Sequence, residues 1–416
     1  ILLRLGKVTW QKPSSDNESR PMIATYSEDY AMSIGNDYPE LRDALRKLCA
    51  DYPPEYWRAL DKEEGYPDAF VKAMSDGGYL SSLIPEEYGG LGLPFRAAQL
   101  ILQTVHEEGC NAGACFAQMY TMGTVLKHGN ADQKQRYLPK IATGELRLQA
   151  FGVTEPGAGS ETLKLKTRAV RHGDKYLING QKIWTSRVAH SDLMLLLART
   201  TPLDEVKHRK HGLSVFLLDI KQALKDGTIE IKPIDIMTNH LTYEVFFNDA
   251  VVPAADLIGE EGEGFSYILS SMNAERTLAC GIAIGTGNWL TQKAVDYANE
   301  RIVFGSPIAK NQGIQFPIAQ AHAEVDAADL MARRAAALLD AGVPCGYEAN
   351  AAKHMAADAA WSAADTCMQT FGGFGVAREY DVERVWREIR HLRTAPISTN
   401  LILAFIAQKL GMPKSY

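Results

Sequence analysis

The spacings that announce a disulfide framework or a zinc site are missing from these 416 residues. The six cysteines (Cys49, Cys110, Cys115, Cys280, Cys345 and Cys367) form no CxxC pair, and among the ten histidines only His208 and His211 stand close together. The thiols are therefore expected to be free, in a reducing compartment, and no metal ligands are assigned. No stretch of about 18 apolar residues occurs, so no membrane span is expected. Basic residues are outnumbered, 44 Lys and Arg against 50 Asp and Glu, for a formal net charge of −6. That balance lacks the basic footprint of a general nucleic-acid binder. No GxGxxG follows a strand-like run, which argues against a dinucleotide-binding βαβ unit. No internal repeat with a period of about 20–50 residues is evident.

What is there is a chain of ordinary globular composition, 46% hydrophobic and 23% charged, long enough for two or three domains with sizeable cores. Residues 1–26 mix Arg4, Lys7 and Lys12 with Asp16 and Glu18. They make a poor organellar presequence, contain no secretory apolar core, and are expected to be a tail of unknown origin. The expected location is cytoplasmic, or the mitochondrial matrix for a eukaryotic source.

Residues 27–148 carry helical signals. Leu41, Leu45 and Leu48 share one face, Pro53-Pro54 breaks the pattern, and the helix through Phe70 and Met74 stops at Gly77-Gly78. Ala97 to Val125 reads as one long apolar helical region. Its Cys110, Ala112, Ala114, Cys115, Ala117, Met119 and Met122 either pack as ordinary core or wall an adaptable cavity. Residues 149–256 turn to β character, with strand-like runs at 176–180, 193–199, 213–219 and 243–247. The charged loop 202–211 between two of them is read as solvated surface. Residues 257–416 return to Ala-rich helical patterns over 322–342 and 348–371, which suit long antiparallel helices.

Two motifs in the β region carry chemistry. Val153-Thr154-Glu155-Pro156 runs into Gly157-Ala158-Gly159-Ser160, a turn whose backbone N–H groups can approach an anion. Lys182-Ile183-Trp184-Thr185-Ser186 sets a large aromatic beside two hydroxyls, which suits a planar heteroaromatic ring with polar edges. The plain alternative is a hairpin with a glycine turn and a core tryptophan.

Together the two motifs resemble the acyl-CoA dehydrogenase family, whose middle domain opens with Thr-Glu-Pro-x-Ala-Gly-Ser-Asp and continues to Asn-Gly-x-Lys-x-Trp followed by Ile or Thr and then Thr or Ser. Glu161 stands where that family has Asp. The resemblance extends from about Pro39 to the C-terminus and includes the Pro-Glu-x-Tyr-Gly-Gly loop at 85–90. It implies an α+β fold: an N-terminal helical domain, a β-barrel-like middle domain and a C-terminal four-helix bundle. It also implies FAD, an acyl-CoA substrate, electron-transferring flavoprotein as acceptor, and a homotetramer or homodimer. Phe151, Val153, Thr154, Trp184 and Ser186 are then expected around the flavin ring, with Ser160 near the phosphates or the thioester. Arg301, Phe304 and Gln312, from an Arg-x-x-Phe-Gly…Gln segment, and Gln369, Gly372 and Gly373, from a Gln-x-x-Gly-Gly-x-Gly segment, are expected to reach the ADP half of a neighbouring subunit's FAD. Taken alone, the second segment could be a helix cap. Ser398 and Asn400 are expected near the adenosine, although Asn400 departs from the family's frequent Gln or Glu.

The reaction implied is α,β-dehydrogenation of a thioester, in which a base takes the α-proton and the β-hydrogen leaves as hydride to flavin N5. Many members place the base in a Tyr-Glu-Gly-Thr segment near the C-terminus, but this chain has Ala395-Pro396 there. A second group, resembling isovaleryl- and long-chain-type dehydrogenases, places it in a Leu-x-x-Glu-Arg segment early in the last domain, where this chain has Ala274-Glu275-Arg276. Glu275 is expected to be the base and Arg276 to tune its field; a surface Glu-Arg pair is the alternative. Should Glu275 not serve, Glu388 and Asp381 come next. The rival functions are an acyl-CoA oxidase or monooxygenase-like relative on the same fold, and a non-catalytic flavin-binding scaffold.

Overall fold

The computed structural model describes residues 37–415. The expected tail over 1–26 and the start of the first helical region lie outside the described residues.

The first helical layer comprises α1 (Pro39–Ala50), α2 (Pro54–Glu63), α3 (Asp68–Asp76), α4 (Phe95–Glu107), α5 (Gly113–His128) and α6 (Ala131–Ala142). Pro39 and Pro54 both open helices, where the missing N–H costs nothing. The single helical region expected over Ala97–Val125 is in fact two helices. Glu108 caps α4, and Gly109 follows with φ +74°, a conformation that glycine adopts without steric cost. The ring nitrogen of Trp289 also lies 2.7 Å from where a Cβ on Gly109 would stand. The break lets the N-terminus of α5 turn toward the β region.

The β region contains β1 (Ala150–Gly152), β2 (Arg168–His172), β3 (Lys175–Ser186), β4 (Leu193–Arg199), β5 (Leu213–Asp219), a short α7 (Ile220–Lys225), β6 (Ile229–Pro233), β7 (Thr242–Pro253) and β8 (Leu257–Ile258). These form an eight-stranded sheet in the order β6-β7-β3-β2-β4-β5-β8, with β1 parallel to β4. Two antiparallel blocks meet at the parallel pair Arg168–Arg199. Every residue of β4 is buried, which explains why it is apolar as far as Arg199. Met194, Leu196 and Ala198 enter a core with Tyr176, Phe216 and Val252, while Leu193, Leu195 and Leu197 enter another with Val125, Leu138 and Ile141 of the helical layer. The β region is thereby fixed to α5 and α6.

The last region is built on α8 (Gly264–Glu300), α9 (Gln312–Asp340) and α10 (Gly346–Phe371), followed by α11 (Val382–Arg390) and α12 (Thr399–Lys409); a hairpin of β9 (Ile302–Val303) and β10 (Ser306–Pro307) links α8 to α9. No helix among the described residues is long and apolar enough to cross a membrane. Helix α8 is buried on most of its circumference because α4 and α5 cover one side and α9 and α10 the other. Glycines allow the α4 backbone to come close. A Cβ at Gly281 would lie 2.3 Å from the Gln99 carbonyl oxygen, and one at Gly285 2.1 Å from that of Gln103. In Gly285→Ala the helix-propensity gain of about 1 kcal/mol competes with overpacking worth about 1–3 kcal/mol or more. Because the clash is with backbone, overpacking wins, and the urea midpoint followed by circular dichroism is expected to fall. An unchanged or raised midpoint would show that α4 and α8 separate without cost.

Candidate active site

Glu275 lies on α8, 6% exposed, where that helix faces α4 and α5. Five carboxylates are buried among the described residues: Glu155, Asp192, Asp256, Glu275 and Asp381. Four of them have a cationic partner: Lys182 for Glu155, Lys221 for Asp192, Arg136 for Asp256, and Arg58 for Asp381. Glu275 has none within ion-pair distance. Its carboxyl is pushed up to about 7, chiefly by burial, against opposing pulls from the Tyr120 hydroxyl, Arg276 and Lys353. The surface-pair alternative for Glu275-Arg276 is overturned, since Arg276 is 8% exposed. Its guanidinium donates to Asn273 Oδ1 at 3.0 Å and lies 3.9 Å from Met272 Sδ, not on Glu275.

Two neighbours of Glu275, and an arginine near Tyr120, escaped the sequence reading. Tyr120 sits on α5 inside an apolar run and looked like ordinary core. Lys353 is 2% exposed on α10 and donates to the Ile397 carbonyl at 2.7 Å, tying α10 to the segment that holds Pro396. A lone lysine in an alanine-rich buried helix was the available signal for it. Arg187 follows Ser186 directly and is 6% exposed. Asp381 and Glu388, the fallback bases, are both engaged: Asp381 accepts from Arg58 at 2.6 Å, and Glu388 from Arg384 at 3.1 Å.

The residues expected around a flavin fall into two sets. In the first, β3 carries Lys182, Trp184 and Ser186, and a register shift against β7 between Lys182 and Thr185 marks a bulge. Bulges re-aim side chains. Trp184 sits there at φ +62°, strained for an aromatic residue, and is 53% exposed. The core-tryptophan alternative is thereby excluded. Phe151 and Ser186 are half-buried and Val153 is buried. Thr154 accepts from the Ile183 N–H at 2.9 Å through its carbonyl, which leaves its hydroxyl uncommitted by that bond. The Ser186 hydroxyl makes a long contact of 3.5 Å to Thr242. Gly157, Gly159 and Ser160 are exposed on the turn closed by the Glu155–Ala158 bridge. Beneath that turn Lys182 donates to Val153 O at 3.0 Å and to Glu155 Oε1 at 2.9 Å, while Glu155 accepts the N–H groups of Lys166 and Thr167. The sequence reading missed this anchor.

The second set is exposed and lies on the last helical region. Phe304 stands fully exposed at the tip of the β9–β10 hairpin with φ +51°. Arg301 caps α8 and lies 5.8 Å from the Phe374 ring, beside exposed Gln369, Gly372 and Gly373 at the end of α10. Gln312 opens α9, exposed. Ser398 caps α12 by accepting from the Leu401 N–H, and Asn400 is exposed in the first turn of that helix.

The donor set fits a flavin nucleotide. Trp184 offers an uncovered ring held out by backbone strain, hydroxyls flank it, and a glycine turn lies open. At Gly157, Gly305, Gly372 and Gly373 no heavy atom stands within 4 Å of a Cβ position, so a ligand can come close to the backbone there.

Comparisons with known proteins bear on the fold and the family. Models of the N-terminal, middle and C-terminal domains of acyl-CoA dehydrogenases match residues 36–145, 150–250 and 262–410. Acyl-CoA dehydrogenase FadE12 of Mycobacterium tuberculosis is 35% identical over 385 residues, covering 90% of this chain and 96% of that protein. Cyclohex-1-ene-1-carbonyl-CoA dehydrogenase of Syntrophus aciditrophicus is 34% identical over 378 residues, covering 90% of each. Among solved structures, a glutaryl-coenzyme A dehydrogenase in complex with glutaryl-CoA superposes with a TM-score of 0.83 at 28% identity, covering 95% of this chain and 98% of that one. The chain belongs to the acyl-CoA dehydrogenase family of flavoenzymes.

Proposed function

We propose that the protein dehydrogenates an acyl-CoA thioester at its α and β carbons, with Glu275 as the base that removes the α-proton. The carrying observation is that Glu275 is the buried carboxylate without an ion pair among the described residues. A carboxylate tied to a cation would have its basicity suppressed. One left in a dry site with a value near 7 is matched to taking a weakly acidic proton at neutral pH. Pro396 supports the assignment, because no acceptor remains at the family's other base position.

FAD, when bound, accepts the β-hydrogen as hydride. Trp184, Thr154 and Ser186 would hold its ring, and the turn 157–160 would hold phosphate oxygens. Arg301, Gln369, Gly372 and Gly373 are exposed as a set, which supports their serving a neighbouring subunit's cofactor in a homotetramer or homodimer. The Tyr120 hydroxyl acts on Glu275 and favours its charged form. Lys353 and Arg276 keep positive charge close by, which limits how far burial can raise the carboxyl. Electron-transferring flavoprotein is proposed as the acceptor. The test is anaerobic mixing of the yellow protein with a panel of acyl-CoAs. Bleaching of the flavin band is expected with at least one of them, and reoxidation faster by electron-transferring flavoprotein than by oxygen. A flavin that no acyl-CoA reduces would refute the reading.

A pH dependence follows. The base works deprotonated, so the rate of flavin reduction is expected to rise with pH and level off above an apparent value of about 7. Stability has the opposite sign. A carboxyl whose folded value is raised binds its proton more tightly folded than unfolded, so its contribution is full below about 4.5 and is lost as pH rises through about 7. Glu275→Gln is expected to abolish both slopes. A rate limb near 7 that persists in that variant would assign the limb to another group.

A further inference from the structure

We propose that Arg187 is a specificity residue that binds a carboxylate at the far end of the acyl group, so that the preferred substrates are acyl-CoA thioesters with an ω-carboxylate. This rests on the reading of the chain as a dehydrogenase and names the substrate class of the same site.

Arg187 follows Ser186 at the end of β3, and its guanidinium is carried into the interior toward the start of α5. No carboxylate stands within ion-pair distance of it among the described residues. Its side chain bonds one group, the His240 ring, at 3.1 Å through Nδ1. That ring is neutral, since burial and the neighbouring cation hold its value well below the usual range, so it accepts from Arg187 without compensating the charge. Two other buried arginines have more partners. Arg199 donates to three backbone carbonyls, and Arg384 pairs with Asp381 and Glu388. An uncompensated buried guanidinium is costly, and a bound anion would remove that cost.

The space around Arg187 suits such a ligand. The guanidinium lines a cavity with Trp57, Leu60, Asn111, Ala114 and Leu241, apolar walls with a few donors. Two carboxylates also line it. Asp61 is held by both terminal nitrogens of Arg387 and Glu388 by Arg384, so neither is available to Arg187. Asn111 accepts the Gly113 N–H through Oδ1 at 2.7 Å, leaving its amide NH2 as a further donor. Gly113 makes room, because Arg187 NH2 lies 2.9 Å from where a Cβ on Gly113 would stand.

The cavity and the candidate base share a neighbour in α5. Ala114 lines it, and Tyr120, less than two turns along the same helix, feels the charges of both Glu275 and Arg187. An acyl chain that presents its α-carbon to Glu275 and runs along Tyr120 would bring its far end to Arg187. A planar guanidinium can take a carboxylate with two parallel bonds, which a methyl terminus cannot use.

The experiment uses the FAD-loaded protein and matched esters: glutaryl-CoA against valeryl-CoA, and adipyl-CoA against hexanoyl-CoA. Stopped-flow anaerobic reduction gives the limiting rate and the apparent Kd for each. The parent is expected to favour the carboxylate ester of at least one pair. In Arg187→Met that preference ratio is expected to fall by on the order of 10²-fold, since removing one partner of a buried charged pair has an effect of that size. Arg187→Lys, which keeps the charge but loses the fork, is expected to fall between. Should the Met variant fail to fold, the parent preference and the Lys variant decide. A parent that favours both neutral esters, or a ratio that does not move in the variants, overturns the proposal while leaving the dehydrogenase reading intact. Failure of all four esters to bleach the flavin overturns the proposal, and the wider acyl-CoA panel then decides the dehydrogenase reading.

Discussion

Replacing Glu275 by Gln is expected to slow reductive bleaching by about 10²–10⁴-fold, the usual worth of general-base assistance. The substitution keeps size and a hydrogen-bond acceptor for Tyr120, so the α4–α5–α8 packing survives. FAD content and the apparent Kd for the acyl-CoA are expected to stay within a few-fold of the parent. The effect then lies in the limiting rate, which marks an interaction made on the way to the transition state and not in the ground state. Adding Glu at position 396 to this variant tests the family's other base location. Recovery there is expected to be small, because the neighbouring backbone is held by Lys353 on the Ile397 carbonyl and shaped around proline. A Glu275→Gln protein whose flavin bleaches within a few-fold of the parent rate would move the base elsewhere. The ion pairs on Asp381 and Glu388 make both poor replacements.

The organisation of the chain was legible where one property decides it. Proline and glycine punctuated α1 to α3, and the apolar run at 193–198 marked β4 as a strand. The motif pair at 153–160 and 182–186 marked a ring-binding edge. The break between α4 and α5 was not legible, since it depends on Gly109 lying against Trp289, which is distant in sequence. The site itself was half visible. Glu275 stood out because Pro396 left the other position empty, but Tyr120 and Arg187 had no local signature. Their significance comes from the partners they meet, or fail to meet, after folding. The same holds for Glu155, which the sequence presents as part of a turn and the structure turns inward onto Lys182.

That inward pair carries the other large effect. Lys182→Met is expected to destabilise the β region by about 3–5 kcal/mol, the usual cost of removing one partner from a buried ion pair. Lys182 is 0% and Glu155 8% exposed at the side chain, so solvent screens the pair little. Burial pulls the ammonium down to about 8 against the pull of Glu155, which leaves it charged at neutral pH. The methionine side chain would fill the space of the lysine stem while leaving the Glu155 charge with only the N–H groups of Lys166 and Thr167. The Val153 carbonyl would also lose its 3.0 Å bond, and with it the tie between the glycine turn and β3. Since the turn and Trp184 flank the same proposed ring site, FAD is expected to dissociate faster from this variant as well. Glu155→Gln in the same background removes the stranded charge and is expected to recover part of the loss, so that the double variant is less destabilised than the sum of the singles. Urea midpoints read from tryptophan fluorescence, together with the FAD release rate, measure both effects. Strict additivity of the two substitutions, or an unchanged release rate in Lys182→Met, would show that the pair is not what holds the turn against β3.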